Sequence, residues 1–424
     1  MTSLSLTIPS LTEIQAALHK RYDWSIQALQ QLIGVDSIAP NELECQHVLQ
    51  RLLVEAGLPA QLVEIDESIK GIDGFHEDGL SLKNRPNLVV VFGGQSPGGR
   101  SLILNAHIDT VEWKQQLSNW RTYPLEGVIV DGRIYGRGAV DDKGQIIMAA
   151  AALLALKDLG YIPAGQVILE SVIAEEPSGN GTLALCAQGY TADGAINLEA
   201  TENQVHYGHR GVAGWCFRGR GHARHGSLNG SEQNVIIELG RLAAIWNQMF
   251  SAWVAPEDAD YGPPTTNVGT ITGGSDIFTV PVLCKMECAV RYAPGTFERI
   301  QQTVALTVQQ FQASLASNGI SVQDEFILHH DASAIPMDTP LLQLFYSCVQ
   351  TIQPHAQLLT FPGGTDARHL NNRYHIPTVI FGSGSLRQAH AENEFLPLEE
   401  WQRGAACLAL MITRWCEPKI GRIG

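Results

Sequence analysis

Residues 166–176 read Gln166-Val-Ile-Leu-Glu-Ser-Val-Ile-Ala-Glu175-Glu176, an apolar, β-branched run that stops on two adjacent carboxylates. A run this short and apolar predicts a buried strand over 166–174, since β-branched side chains suit a pleated sheet. Just upstream, the alanine- and leucine-rich stretch 143–159 predicts a buried helix, and 87–92 and 101–106 predict two more buried strands. The glycines of 93–99 join those two strands. They lack GxGxxG spacing and lead into another strand, so they predict a hairpin turn rather than a nucleotide site. Strands alternating with helices predict an α/β sheet, whose ligand sites lie at the C-terminal strand ends. Glu175 and Glu176 fall at such an end.

Further out, residues 24–33 and 41–56 predict helices; in the second, Leu43, Val48, Leu49, Leu52 and Leu53 recur near helical spacing and Gly57 supplies a stop. The polar, glycine-bearing residues 71–85 predict a loop. Past Gly211 the pattern becomes strand 212–218, helix 232–253, strands 266–271 and 285–292, helix 297–315 and strand 320–329. That β-α-β-β-α-β order predicts an inserted ferredoxin-like domain. Helix 340–350, strand 377–381 and helix 398–415 then resume the first pattern. The expectation is an α/β protein with a discontinuous first domain, 1–210 and 331–424, built on a mixed sheet flanked by helices, and a second domain over 211–330.

The length of 424 residues exceeds what one hydrophobic core ordinarily serves, which agrees with two domains. With 45% hydrophobic and 17% charged residues the chain reads as a packed globular protein. Its net charge of -15 argues against nucleic-acid and anionic-membrane partners, which need excess Lys and Arg. Residues 1–10 lack the basic and apolar regions of a secretory signal, and no run approaches the ~18 apolar residues of a spanning helix. A cytoplasmic, soluble protein is expected. The eight cysteines show no CxxC pairs or framework spacing and read as reduced core thiols, Cys284 and Cys288 included.

Four segments place metal-capable side chains after predicted strands or in glycine-rich loops. In Leu104-Asn-Ala-His107-Ile-Asp109, an extended backbone points His107 and Asp109 the same way, so Asp109 can hold the second imidazole nitrogen and fix the metal-binding tautomer. Taken alone, this pattern reads first as polar capping of a strand end. In Tyr135-Gly-Arg-Gly-Ala-Val-Asp141-Asp142-Lys143-Gly144, Asp141 is the candidate ligand, with helix capping as its alternative and Asp142 as a confusable neighbour. Glu175 and Glu176 repel each other, an arrangement tolerated with a cation between them or with full solvation. With metal present, one carboxylate binds it and the other accepts a proton from the activated water. His390, on a loop after the strand over 377–381, reads equally as ligand or surface histidine.

The ordered set HxDxV, GRGxxDxKG, xEE, Glu199-Ala-Thr and a terminal HxxxE resembles the metallohydrolase family of acetylornithine deacetylase, succinyl-diaminopimelate desuccinylase, aminoacylase and carboxypeptidase G. The resemblance runs from about residue 20 to the C-terminus; the set is specific and the single motifs are not. It implies a zinc-exopeptidase-like catalytic domain with two divalent ions, zinc or alternatively cobalt. His107, Asp141 and Glu199 would hold one, and Asp141, Glu176 and His390 the other, with Asp141 bridging and Glu175 as general base. Glu199 stands where the family has Glu-Pro-Thr, and Glu202 lies close by. Two metals ~3.5–4 Å apart activate water and polarise a carbonyl.

For the second domain the resemblance implies a lid that forms a homodimer, in which His225, chosen over His222, donates to the oxyanion in the partner subunit's site. Arg291, Thr365, Asp366 and Arg368 match positions that clamp a substrate carboxylate in relatives, a task suited to the arginine fork. Phe278 stands where relatives carry an asparagine that contacts substrate; an aromatic or apolar acyl group is one consequence. The implied reaction is hydrolysis of an N-acyl amino acid or related small amide. Exopeptidase action on a short peptide is the alternative. A non-catalytic metal-bound binding protein would have lost the base or a ligand, and all are present.

Overall fold

The computed structural model describes residues 8–94, 98–228, 234–254, 259–315 and 318–417. Parts of three readings lie outside them: residues 1–7 of the segment read for a secretory signal, 95–97 of the turn and 232–233 of the helix expected from 232. The chain divides into two compact units, Met1–Gly208 with Ile335–Phe361 and Thr365–Gly424, and His209–Ala334 with Pro362–Gly364.

The first unit is organised on a large mixed sheet. Across it the strands run Ala60–Val63, Asn87–Gly93, Gln166–Val172, Leu102–His107, Ala195–Leu198, Thr378–Phe381 and Val205–His209. Gln166–Val172 is antiparallel to Asn87–Gly93 and parallel to Leu102–His107, which is itself parallel to Ala195–Leu198. The expected hairpin is therefore corrected: the strands on either side of the 93–99 turn are neighbours in sequence but not in the sheet. Leu102–His107 is buried throughout and Asn87–Gly93 everywhere but at Val91 and Gly93, so no one-sided pattern ties them together. The helix Lys143–Asp158 carries the chain back and inserts the next strand between them.

That helix is buried from Lys143 to Leu156, as expected of one apolar all round. It packs against Leu11–Ile33 and Leu398–Trp415, and Pro340–Ile352 packs on Leu398–Trp415. The first helix begins at Leu11, well before the expected 24. A capping box explains the early start: Ser10 Oγ accepts from the Glu13 N–H, and Glu13 returns a carboxylate to the Ser10 N–H. Short strands and one helix, Asn180–Ala187, escape the sequence reading. A helix of eight residues shows too few turns for a period.

The second unit is a four-stranded antiparallel sheet in the order Thr265–Gly273, Leu283–Tyr292, Gly211–Arg220 and Ser321–His330. Its helices, Val235–Gln248 and Phe297–Ser314, bury the stripes Val235, Leu239, Leu242, Trp246 and Ile300, Val304, Val308, Phe311 in a core with Phe217 and Met286. Cys284 and Cys288 belong to this core, and all eight cysteines are buried and free. Among the described residues no helix is long and apolar enough to cross a membrane.

Candidate active site and metal centre

The first unit's parallel strands end at the site. Residue alternation puts Asn105 and His107, Glu170 and Val172, and Asn197 and Glu199 on one face of the sheet, with His107 in register with Val172. After Val172 the chain turns through Ala174, whose φ of 58° lies in the left-handed region. This costs on the order of 1 kcal/mol for a non-glycine residue. The turn aims the Glu175 and Glu176 N–H groups at Asp109, whose Oδ1 and Oδ2 accept them at 3.1 Å each.

This geometry corrects the expected part of Asp109. Its backbone carbonyl is the nearer acceptor for His107 Nδ1, at 3.0 Å, and its carboxylate faces the same nitrogen at 3.6 Å. The carbonyl fixes the tautomer that leaves Nε2 for a ligand, and the carboxylate positions the paired glutamates. Nε2 of His107 lies 2.9 Å from Asp141 Oδ1. The other oxygen of Asp141 lies 3.3 Å from His390 Nε2, which is 3.0 Å from Glu176 Oε1. Asp141 thus faces two imidazoles at once.

Two groups have ligand atoms within 4.8 Å of one another: Asp141, Glu176 and His390, and His107, Asp141 and Asp142. The helix-capping alternative fails for Asp141. Asp142 occupies the cap position of Lys143–Asp158 and makes no side-chain cap; its Oδ2 accepts the His107 N–H at 3.0 Å. Glu199 follows Ala195–Leu198 and is buried. It is held well above the carboxylate range by burial, then by the charges of Glu175, Asp142 and Asp141.

The site carries an excess of buried negative charge. Burial pushes Glu175 and Asp142 well above their ordinary values, and neighbouring carboxylates add to it. Hydrogen bonds to Asp141 and Glu176 hold the His390 imidazole up at about 10. Oδ1 of Asp142 is buried without a partner. Carboxylates crowded around two imidazoles, with an orphaned oxygen among them, fit divalent cations, which neutralise the charge and satisfy the donors.

Beneath the site lies a polar layer of the same sheet face. Asn105 Nδ2 donates to Glu170 Oε2 and Thr182 Oγ1, both at 2.9 Å; Asn197 Nδ2 donates to Asn105 Oδ1 at 2.9 Å; and Thr182 Oγ1 donates to Asp366 Oδ2 at 2.6 Å. Burial raises Glu170 to about 8. A folded-state value above the unfolded one stabilises the fold fully below about 4.5 and loses that contribution as pH rises through about 8. Glu170→Gln keeps the shape and the acceptor without the ionisation. Its melting temperature should therefore gain on wild type progressively between those pH values, as thermal scans across pH would measure.

The residues expected to clamp substrate sit differently. Thr365, Asp366 and Arg368 are all buried. Arg368 donates to the Ser178 carbonyl at 2.9 Å and the Thr365 carbonyl at 2.8 Å, bracing the loop that carries Glu175 and Glu176. Its fork is committed to backbone. Arg291 is exposed on Leu283–Tyr292 in the second unit, opposite Thr265 and Val212. His225, also in that unit, is exposed; the Ser227 N–H donates to its Nδ1 at 3.3 Å. Glu394, read only as the last letter of a motif, is fully buried and holds the Asp141 loop. The signal for it was indirect: a Gly-Arg-Gly turn rich in donors needs an acceptor from elsewhere.

The profile of Peptidase family M20/M25/M40 matches residues 103–414, a span that contains every one of these strand ends and loops. The chain belongs to this family. It is a hydrolytic enzyme of the M20 group, with candidate ligands for metal. It is 28% identical over 369 residues to N-formyl-4-amino-5-aminomethyl-2-methylpyrimidine deformylase of Halalkalibacterium halodurans, covering 78% of this chain and 83% of that one. It is 24% identical over 400 residues to a probable succinyl-diaminopimelate desuccinylase of Staphylococcus aureus, covering 88% and 92%. A solved tripeptidase from Staphylococcus aureus has the same fold, with TM-score 0.75 at 21% identity, covering 93% of the M20 chain and 98% of its own.

Proposed function

We propose that this enzyme hydrolyses the amide of an N-acyl amino acid or a related small amide. The observation that carries the reading is Asp141 between two imidazoles, with Glu176 on the second and the Glu175 carboxylate beside them making none of the hydrogen bonds or ion pairs among the described residues. The proposed ligands are His107, Asp141 and Glu199 for one ion and Asp141, Glu176 and His390 for the other, with zinc as the metal. Two such ions supply a lowered water pKa and a polarised carbonyl. Glu175, aligned by Asp109, takes the proton from the attacking water; as the C–N bond breaks, it returns that proton to the departing nitrogen.

His225 is proposed as donor to the carbonyl oxygen in the partner subunit's site. Its Nδ1 is engaged by Ser227, 2.8 Å from Oγ and 3.3 Å from the N–H, which leaves Nε2 to face substrate. A homodimer through the second unit and a cytoplasmic setting belong to the same reading. Supporting them are the exposed edge strand Thr265–Gly273, open to pairing with another chain, and eight free thiols. Light scattering should give twice the 46.1 kDa chain mass.

The deformylase and the desuccinylase in name both cleave an acyl group from nitrogen, which favours deacylation over peptide cleavage. An apolar acyl group belongs to the same reading, with Phe278 exposed where relatives carry an asparagine. The deciding experiment is a panel of N-acyl amino acids, N-formyl amines and di- and tripeptides, assayed with added zinc or cobalt. Release of free carboxylic acid from acyl substrates is expected; turnover confined to peptides would replace deacylation with the exopeptidase reading.

A further inference from the structure

Glu394 lies four residues beyond His390, and its carboxylate is enclosed by four donors from a different loop. Oε1 accepts from the Val140 N–H at 2.9 Å and the Asp141 N–H at 3.2 Å; Oε2 accepts from Arg137 Nη1 at 2.8 Å and the Gly138 N–H at 3.1 Å. The loop is shaped for this. Gly138 takes a φ of 81°, open to glycine but strained for other residues, and the Gly138, Val140 and Asp141 N–H groups turn inward as an anion nest. The backbones are also joined: the Gly136 N–H donates to the Glu394 carbonyl at 3.0 Å, and Tyr135 pairs with Phe395. In the same loop, Asn393 accepts the Arg121 N–H at 2.7 Å and donates to the Asn119 carbonyl at 3.1 Å.

The 3.3 Å approach of Asp141 to His390 thus depends on two loops that meet at one carboxylate. Only an acceptor with no donor of its own fits the cradle. A glutamine would turn its NH₂ against either the Arg137 and Gly138 donors or the Val140 and Asp141 donors. We infer that Glu394 is a positioning residue that sets the spacing between Asp141 and His390 and so tunes how tightly this pair holds a divalent ion. The inference rests on the proposed ligand set. Partners of this kind alter metal affinity by ~10–100-fold when removed.

The test is zinc titration of the metal-free full-length protein against a chromophoric chelator. Wild type should bind two ions, and Glu394→Gln should bind at least one of them ~10–100-fold more weakly. Its activity should be largely restored by excess zinc. A merely structural role would lower the melting temperature, leave the Kd of the folded fraction unchanged and give no rescue by metal; that result overturns the inference and leaves the ligand set standing. Wild type that binds no ion would defeat both. Should Glu394→Gln not fold, Arg137→Met, which removes one of the four donors, should weaken zinc by a smaller factor; a wild-type Kd there also overturns the inference.

Discussion

Glu175→Gln should lower kcat by about 10²–10⁴-fold, the range that a positioned general base supplies, while elemental analysis still finds two ions per chain. The substitution is nearly isosteric and leaves in place the backbone N–H that Glu175 donates to Asp109. What it removes is the proton acceptor. KM should change little, because the proposed metal ligands are untouched. A near-wild-type rate would show that another group takes the proton. Loss of an ion would instead place Glu175 among the ligands.

Asp141→Ala should have the broadest effect of any single change. Both of its oxygens face imidazoles, His107 at 2.9 Å and His390 at 3.3 Å, so its loss removes a shared ligand from both proposed positions. At least one ion should be lost by elemental analysis, and kcat/KM should fall by on the order of 10³-fold or more, corresponding to ~4 kcal/mol of transition-state stabilisation. Full two-metal occupancy in this variant would rule out the bridging role. Asp142→Ala provides the contrast, since that carboxylate already serves the His107 N–H at 3.0 Å; retained occupancy there would separate the two neighbours.

The sheet was legible where an apolar run ends on polar residues, as at 101–107 and 166–176, because burial leaves few other readings for β-branched segments. Strand order was not. Whether 87–93 pairs with 102–107 or admits Gln166–Val172 between them depends on a crossover helix some forty residues on, and a strand buried on both faces carries no mark of its neighbour. In the site, residue types and their strand-end placement pointed to one pocket, but the second tier was hidden. The carboxylate of Asp109 also takes two backbone amides because Ala174 adopts a left-handed turn that no propensity announces. Arg368 reads as a free fork until the Ser178 and Thr365 carbonyls are seen to occupy it. Backbone acceptors leave no trace in a one-letter code.

The place of Thr378–Phe381 in the sheet bears on how the molecule comes into being. This short strand lies between Ala195–Leu198 and Val205–His209, partners about 180 residues earlier in the chain. During synthesis those earlier segments emerge with a gap between them, and the gap closes only when residues 378–381 have also left the ribosome. His390 arrives later still. Until residues 378–390 emerge, a growing chain therefore holds an open sheet edge and lacks one of the proposed ligands, so filling of both proposed metal positions waits for these late segments and the unfilled edge is exposed to wrong pairing meanwhile.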